Sequence, residues 1–290
     1  MAILAIENKA VRVALDPAFG ARVLSLIDRR SGRDWLAKGP QSTATGEDAI
    51  YLADEAVGWD ECFPTVSPWD ASATALRRPL RDHGDLWGRP WAVAAHAADS
   101  VTTSRADGAL AFSRRLALDG ATLTADYAVT NSGAEALPFM WALHGLLAVA
   151  PGETIEMAGV SSVAATYVSR DGAAIRTPRL PWPDGNIGFA LDTVQPAATR
   201  FAAKLYASDV SRAAITGANG RLELAWEGVR HLGLWLNYGG WPAPGDVHHV
   251  ALEPTTAPVD HLGQALAQDT ALILASGATT RWRVTLTLRP

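Results

Sequence analysis

The sequence predicts an all-β protein, a single antiparallel β-supersandwich spanning residues 1–290. Three observations carry this expectation. Alternation of apolar and polar residues recurs along the chain with turn residues between the runs. Asp119-Gly120 and Ala218-Asn219-Gly220 stand where tight hairpins need residues that tolerate positive φ. Helical periodicity is nearly absent, and many strands without intervening helices stack as antiparallel layers.

The clearest strand is 281–288, where Trp282, Val284, Leu286 and Leu288 share one face and Arg281, Arg283, Thr285 and Thr287 the other. The Asp119-Gly120 hairpin joins 111–118 to 122–130, and the second hairpin joins 212–216 to 221–226. Further strands are expected at 11–15, 21–28, 137–143, 201–206, 231–236, 247–252 and 270–274, with one short helix at 259–268. Two long stretches, 39–90 and 177–195, lack the pattern and are rich in Pro, Gly, Asp and Trp; ordered loops of that length are usually functional. The first of them is expected to pack over a sheet face and wall a cleft. No repeat or low-complexity segment divides the chain.

Composition bounds the function. A chain of 290 residues buries roughly three quarters of its unfolded surface, so neither disulfide nor metal is needed to hold a core. The single Cys62 forms no internal bridge, and the opening residues show no basic segment followed by an apolar run, so a reducing cytoplasm is expected. The longest apolar stretch, 137–150, is interrupted by His144 and Gly145 and falls short of the about 20 residues that span a bilayer. A net charge of -5 without a Lys/Arg run argues against a nucleic-acid partner. Eleven Trp stand against five Tyr and six Phe; indole faces stack on sugar rings but also fill β cores.

Three segments hold ionisable groups that a β scaffold exposes. The first is the polar and aromatic run 81–91, with Asp82, His83, Asp85, Trp87 and Arg89 among glycines that permit tight backbone near a ligand. In the second, His144 ends an apolar strand. In the third, Glu253 stands at a strand end before Pro254, which cannot donate to a sheet ladder. Each also has a plain reading: a hydrogen-bonded core histidine, a loop cap, a solvated turn. Asp60 and Glu61, in Gly58-Trp59-Asp60-Glu61-Cys62-Phe63-Pro64, read equally well as surface charge.

The order of these motifs over nearly the whole chain resembles the aldose 1-epimerase family. The opening 11–13 strand, the Phe19-Gly20 turn, the 21–26 strand and the Ser31-Gly32-Arg33-Asp34-Trp35-Leu36 turn resemble that family's first hairpin. An early His-Gly, a later strand histidine and a late strand glutamate follow the family's order, and Gly58-Trp59-Asp60-Glu61 … Phe63-Pro64, His83-Gly84 and Leu252-Glu253-Pro254-Thr255-Thr256 resemble a divergent bacterial branch of galactose-mutarotase-like proteins. The resemblance implies that fold, no cofactor and no metal, and a sugar substrate whose anomers interconvert by ring opening. It implies His144 as general acid, Glu253 as general base and His83 as a substrate-binding histidine. The family's Asn-Arg segment is replaced here by Trp59-Asp60-Glu61, and its substrate-binding aspartate has Asn237 as nearest counterpart. Trp59, Trp87 and Trp235, with Asp60 and Arg89, are expected to line the cleft as a monomer or homodimer binds a small sugar.

Two other functions compete. A mutarotase of phosphorylated sugars would use Arg77, Arg78, Arg81 and Arg89 as an anion clamp. A non-catalytic carbohydrate-binding protein would keep the fold without the acid–base pair. A metal site of His231, His248 and His249 is disfavoured because adjacent strand residues point to opposite faces.

Overall fold

In the computed structural model, which describes residues 2–39, 50–52, 56–243 and 245–290, two large antiparallel sheets pack face to face. The larger has eleven strands among the described residues. Its order runs Leu4–Glu7, Val11–Asp16, Arg22–Asp28, Trp59–Cys62, Ala142–Leu147, His248–Thr255, His231–Tyr238, Phe201–Ser208, Ser162–Arg170 and Ala173–Ala174, with Arg179–Pro181 also paired to Ser162–Arg170. The smaller runs Thr154–Glu156, Arg212–Gly217, Gly220–Glu227, Thr279–Arg289, Thr122–Asn131, Leu110–Asp119, Ser100–Asp107 and Ala92–His96.

Both hairpins fall where the turn residues put them: Asp119 pairs with Thr122 and Gly217 with Gly220. The alternation of the last strand is also kept, since Trp282, Val284, Leu286 and Leu288 are buried. Between the sheets, Trp282 stacks on Tyr127 (centroids 5.4 Å apart) and meets Trp141 at 4.9 Å. Phe112 of the smaller sheet meets Phe63 at 5.3 Å. Aromatic pairs in such offset and tilted arrangements add to the area they bury.

Four expectations change. The helix is shorter, Leu262–Ala267, with the His261 side chain accepting from the backbone N–H of Gln264. The expected 137–143 strand breaks at Met140-Trp141 into Leu137–Phe139 and Ala142–Leu147, so His144 lies inside a strand. Glu253 likewise lies inside the His248–Thr255 strand rather than at its end, one residue before Pro254. The missing Pro254 N–H is tolerated because pairing with Ala142–Leu147 lapses between Ala142↔Thr255 and Leu146↔Ala251. Finally, the stretch 39–90 contains a central strand, Trp59–Cys62, buried throughout. Residues 40–49 and 53–55 of that stretch lie outside the described residues. Among the described residues, no helix is long and apolar enough to cross a membrane.

Candidate active site

The side chains of the larger sheet divide between two faces. On the face toward the smaller sheet, Glu61 is buried and accepts from Arg114 Nη1 at 2.8 Å, Trp141 Nε1 at 2.8 Å, Trp59 Nε1 at 3.1 Å and Tyr127 Oη at 3.1 Å. This carboxylate is part of the core, not surface charge. Burial is the main influence on it and pushes its pKa up, while Arg114 and the other donors oppose that.

On the opposite face, strand pairing brings the candidate residues together. Ala142↔Thr255 and Leu146↔Ala251 flank the lapse in the ladder symmetrically, which puts His144 opposite Glu253. On its other side His144 pairs with Asp60. His83 arrives from a loop that is tied to the sheet: Phe63 bridges Gly84, His83 N–H donates to Val66 O at 2.6 Å, and Asp85 N–H to Phe63 O at 2.7 Å. Gly84 has φ +73, and a Cβ there would stand 2.0 Å from Phe63 O. Only glycine allows this approach, and it fixes His83 against the face bearing His144.

The result is a cavity of about 190 Å³ lined by Tyr51, His83, His144, Lys204, Glu253 and Asp260, with Trp235 and Trp241 beside them. It is smaller than the roughly 300–1,000 Å³ that encloses a drug-sized ligand. Tyr51 stacks on His83 with centroids 3.7 Å apart, and its hydroxyl lies 3.3 Å from His144 Nδ1. Trp235 donates to His249 Nε2 at 3.0 Å and meets Trp241 edge to face at 5.9 Å.

The electrostatics centre on Glu253. Lys204 Nζ donates to its Oε2, and Lys204 is itself 3.8 Å from Asp260 Oδ1. Glu253 Oε1 is buried without a hydrogen-bond partner. Burial drives the Glu253 pKa up, and Lys204 counters it; the Lys204 ammonium is held protonated chiefly by Glu253 and Asp260 against its own desolvation. His144 moves the other way: burial first, then electrostatic interaction with neighbours that include Lys204 and Arg22, pulls its pKa well below the usual histidine range. As for metal ligands, Cys62, His83 and His144 offer atoms all within 4.8 Å of one another.

Of the residues singled out in the sequence, Asp82, His83, His144, Glu253 and Trp235 line this cavity. The others lie elsewhere. Trp59 points into the inter-sheet core beside Glu61. Asp60 is buried in a bidentate pair with Arg22, whose Nη2 is 2.6 Å away. Trp87 sits under Tyr51, edge to face at 5.0 Å, with its N–H on Asp82 O. Arg89 faces Asp85 and Asp107. Asn237 is a turn-former: its amide nitrogen donates to Trp241 O at 2.6 Å and its oxygen accepts from Gly240 and Trp241 N–H, which sets the turn that presents Trp241. His231, His248 and His249 are dispersed over separate partners, Ser208, Gln195 and Trp235. Sequence reasoning missed Tyr51, Lys204, Trp241 and Asp260.

Comparison with known proteins agrees with this architecture. The sequence profile of the aldose 1-epimerase family matches residues 3–180, and the chain belongs to that family. No functionally curated protein matches it in sequence. Among solved structures it is similar to a candidate aldose 1-epimerase from Escherichia coli K12, with 17% identity, TM-score 0.73, and 99% of each chain covered. It is also similar to a galactose mutarotase-like protein from Lactobacillus casei (16% identity, TM-score 0.71, 99% of this chain and 100% of that one). A galactose mutarotase related enzyme from Lactobacillus acidophilus has 14% identity and TM-score 0.71 over 100% of this chain and 98% of its own. At these identities the likeness defines the fold.

Proposed function

We propose that this cavity opens and recloses the ring of an uncharged aldose, so that the protein interconverts the sugar's anomers. The observation that carries the reading is Glu253: a buried carboxylate that lines the cavity, with one oxygen held by Lys204 and the other without a hydrogen-bond partner. An unsatisfied buried acceptor is costly, and an anomeric hydroxyl would satisfy it and give up its proton there. Ring opening also needs a proton on the ring oxygen, and the family resemblance assigns that donor to His144, which stands next to Glu253. The walls of Tyr51, Trp235 and Trp241 supply apolar faces for a pyranose, and Asp82 and Asp260 supply acceptors for its hydroxyls.

The reading as a sugar-phosphate enzyme has less support, because the four arginines suited to clamp an anion have partners. Arg77 pairs with Glu135, Arg78 with Asp85 and Asp107, Arg89 with Asp85 and Asp107. Arg81 donates to Gly84 O and Trp87 O and lies 4.4 Å over the Trp87 ring.

Anomer exchange measured by NMR over D-glucose, D-galactose and their 6-phosphates tests the reading. Accelerated exchange of the neutral sugars, abolished in Glu253→Gln with binding retained, is the expected result. Binding without acceleration would instead make the protein a carbohydrate-binding module.

A further inference from the structure

We propose that Lys204 is a positioning residue for the carboxylate of this site: it occupies Glu253 Oε2, leaves Oε1 alone for the anomeric hydroxyl, and keeps the enclosed carboxylate charged and able to take that proton. The proposal rests on the reading that the cavity interconverts anomers. It assigns no proton transfer to Lys204 and leaves the donor to the ring oxygen as His144.

The geometry begins with a gap in a strand. Lys204 and Glu253 lie on strands separated by His231–Tyr238, with Lys204 pairing to Trp235, and Glu253 and Tyr206 both pairing to Gly233. A Cβ at Gly233 would stand 2.9 Å from Glu253 Oε2 and 3.3 Å from Tyr206 Cε1, so any other residue there would displace the carboxylate. Bare backbone on the middle strand is the close approach that a strand-interior glycine permits. Across it Lys204 Nζ donates to Oε2, while Oε1 has no partner. Both side chains line the cavity.

A lysine on a flexible stem positions nothing unless it is itself held. Here the ammonium lies 3.8 Å from Asp260 Oδ1, and that oxygen also accepts from Tyr206 Oη. Asp260 Oδ2 accepts from Thr166 Oγ1 at 3.0 Å. The Asp260 backbone carbonyl takes the N–H groups of Val66 at 3.1 Å and Ser67 at 2.7 Å. Thr166 stands where the pairing of Ser162–Arg170 with Phe201–Ser208 shifts register between Ala165 and Tyr167. Such a bulge re-aims a side chain, here onto the carboxylate that holds Lys204. Support therefore runs from two backbone segments through Asp260 to Lys204, and from Lys204 to Glu253.

The charge is as necessary as the orientation. Glu253 is 1% and Lys204 8% exposed. A carboxyl so enclosed takes up a proton unless a cation lies beside it, and a protonated carboxyl is no base. The other groups facing Glu253 are Tyr206 from the lysine's own strand, Asp260, Cys62 and Asp60 from Trp59–Cys62, His144 from Ala142–Leu147, and Asp82 and His83 from the loop. Among them the carboxylates and the thiol oppose a second negative charge, and Asp60 is paired with Arg22.

The test combines anomer exchange of D-galactose and D-glucose with carbon-13 NMR of protein labelled at the glutamate side-chain carboxyls. The signal missing from Glu253→Gln is that of Glu253, and following it separates this group from His83 and His144, which ordinarily titrate near neutrality. In the wild type the signal should be that of a carboxylate throughout pH 6 to 8. In Lys204→Met its titration, and the acid limb of kcat/KM with it, should move up by about one unit or more, with the rate falling about tenfold per unit below the limb. Lys204→Arg keeps a cation and should leave both at their wild-type positions. Loss of stability alone would not move either, so the paired shift distinguishes positioning from packing. A wild-type Glu253 that is protonated in that range, or a folded Lys204→Met with an unmoved signal and limb, overturns this proposal and leaves the anomer reading standing. A wild type that accelerates neither sugar overturns both.

Discussion

Replacing Arg114 by Met removes the cation paired with Glu61, the carboxylate buried between the sheets. Glu61 and Arg114 are both fully enclosed, with side-chain exposures of 0%. After the change, Glu61 keeps three neutral donors, Trp59, Trp141 and Tyr127. Breaking a buried pair on one side costs about 3–5 kcal/mol, because the remaining charge stays desolvated. Arg114 also donates to Ala21 O and lies 5.6 Å from the Trp59 ring and 5.4 Å from Trp91, contacts that are lost with the guanidinium. The upper half of the range is therefore expected. At roughly 2 °C per kcal/mol for a chain of this size, melting should fall by about 8–10 °C in differential scanning calorimetry. The double variant Arg114→Met/Glu61→Gln removes both charges and should recover much of the loss, since a buried pair exchanged for uncharged groups is often near neutral. A drop below about 2 °C for Arg114→Met, with no gain from the second change, would refute an ionised Glu61.

Three further outcomes follow from the structure. His249 is buried, accepts from Trp235, and has its pKa lowered to about 3, burial first and His248 second. Because its folded value lies below the unfolded 6.5, the unfolded chain binds the extra proton as pH falls. Stability is full above pH 6.5 and should decline by up to about 1.4 kcal/mol per unit below it, a slope that urea titrations of His249→Gln should find reduced. Gly84→Ala drives a Cβ to 2.0 Å from Phe63 O at positive φ, so it should destabilise the chain and weaken sugar binding together, as calorimetry and NMR titration read out. Arg89→Gln should leave the preference for neutral over phosphorylated sugars unchanged in the exchange assay, since Arg89 faces Asp85 and Asp107.

The fold was legible wherever one sheet face is buried and the other is not, as in Thr279–Arg289 and the Asp119-Gly120 hairpin. It was illegible at Trp59–Cys62, because that strand is buried on both faces and its four residues show no alternation. Tryptophan misled for a related reason. Trp35, Trp59, Trp87, Trp91 and Trp141 are all at most 1% exposed, so much of the Trp excess fills the interior, and Trp235 and Trp241 are left for the cavity.

His144 and Glu253 stood out as polar residues inside apolar runs. Lys204 carries the same mark, in Phe201-Ala202-Ala203-Lys204-Leu205-Tyr206, where every residue is buried. A lysine is almost never enclosed unless something pairs with it. The partner could not be read from spacing, because Glu253 is 49 residues away and two strands over. Gly233 holds the remaining signal. Glycine weakens a strand interior and there commonly marks a close approach, and here the approach is the Glu253 carboxylate reaching Lys204 across the bare backbone. A buried lysine on one strand, a strand-interior glycine on the next and a glutamate on the third together specify a supported carboxylate, which none of the three does alone.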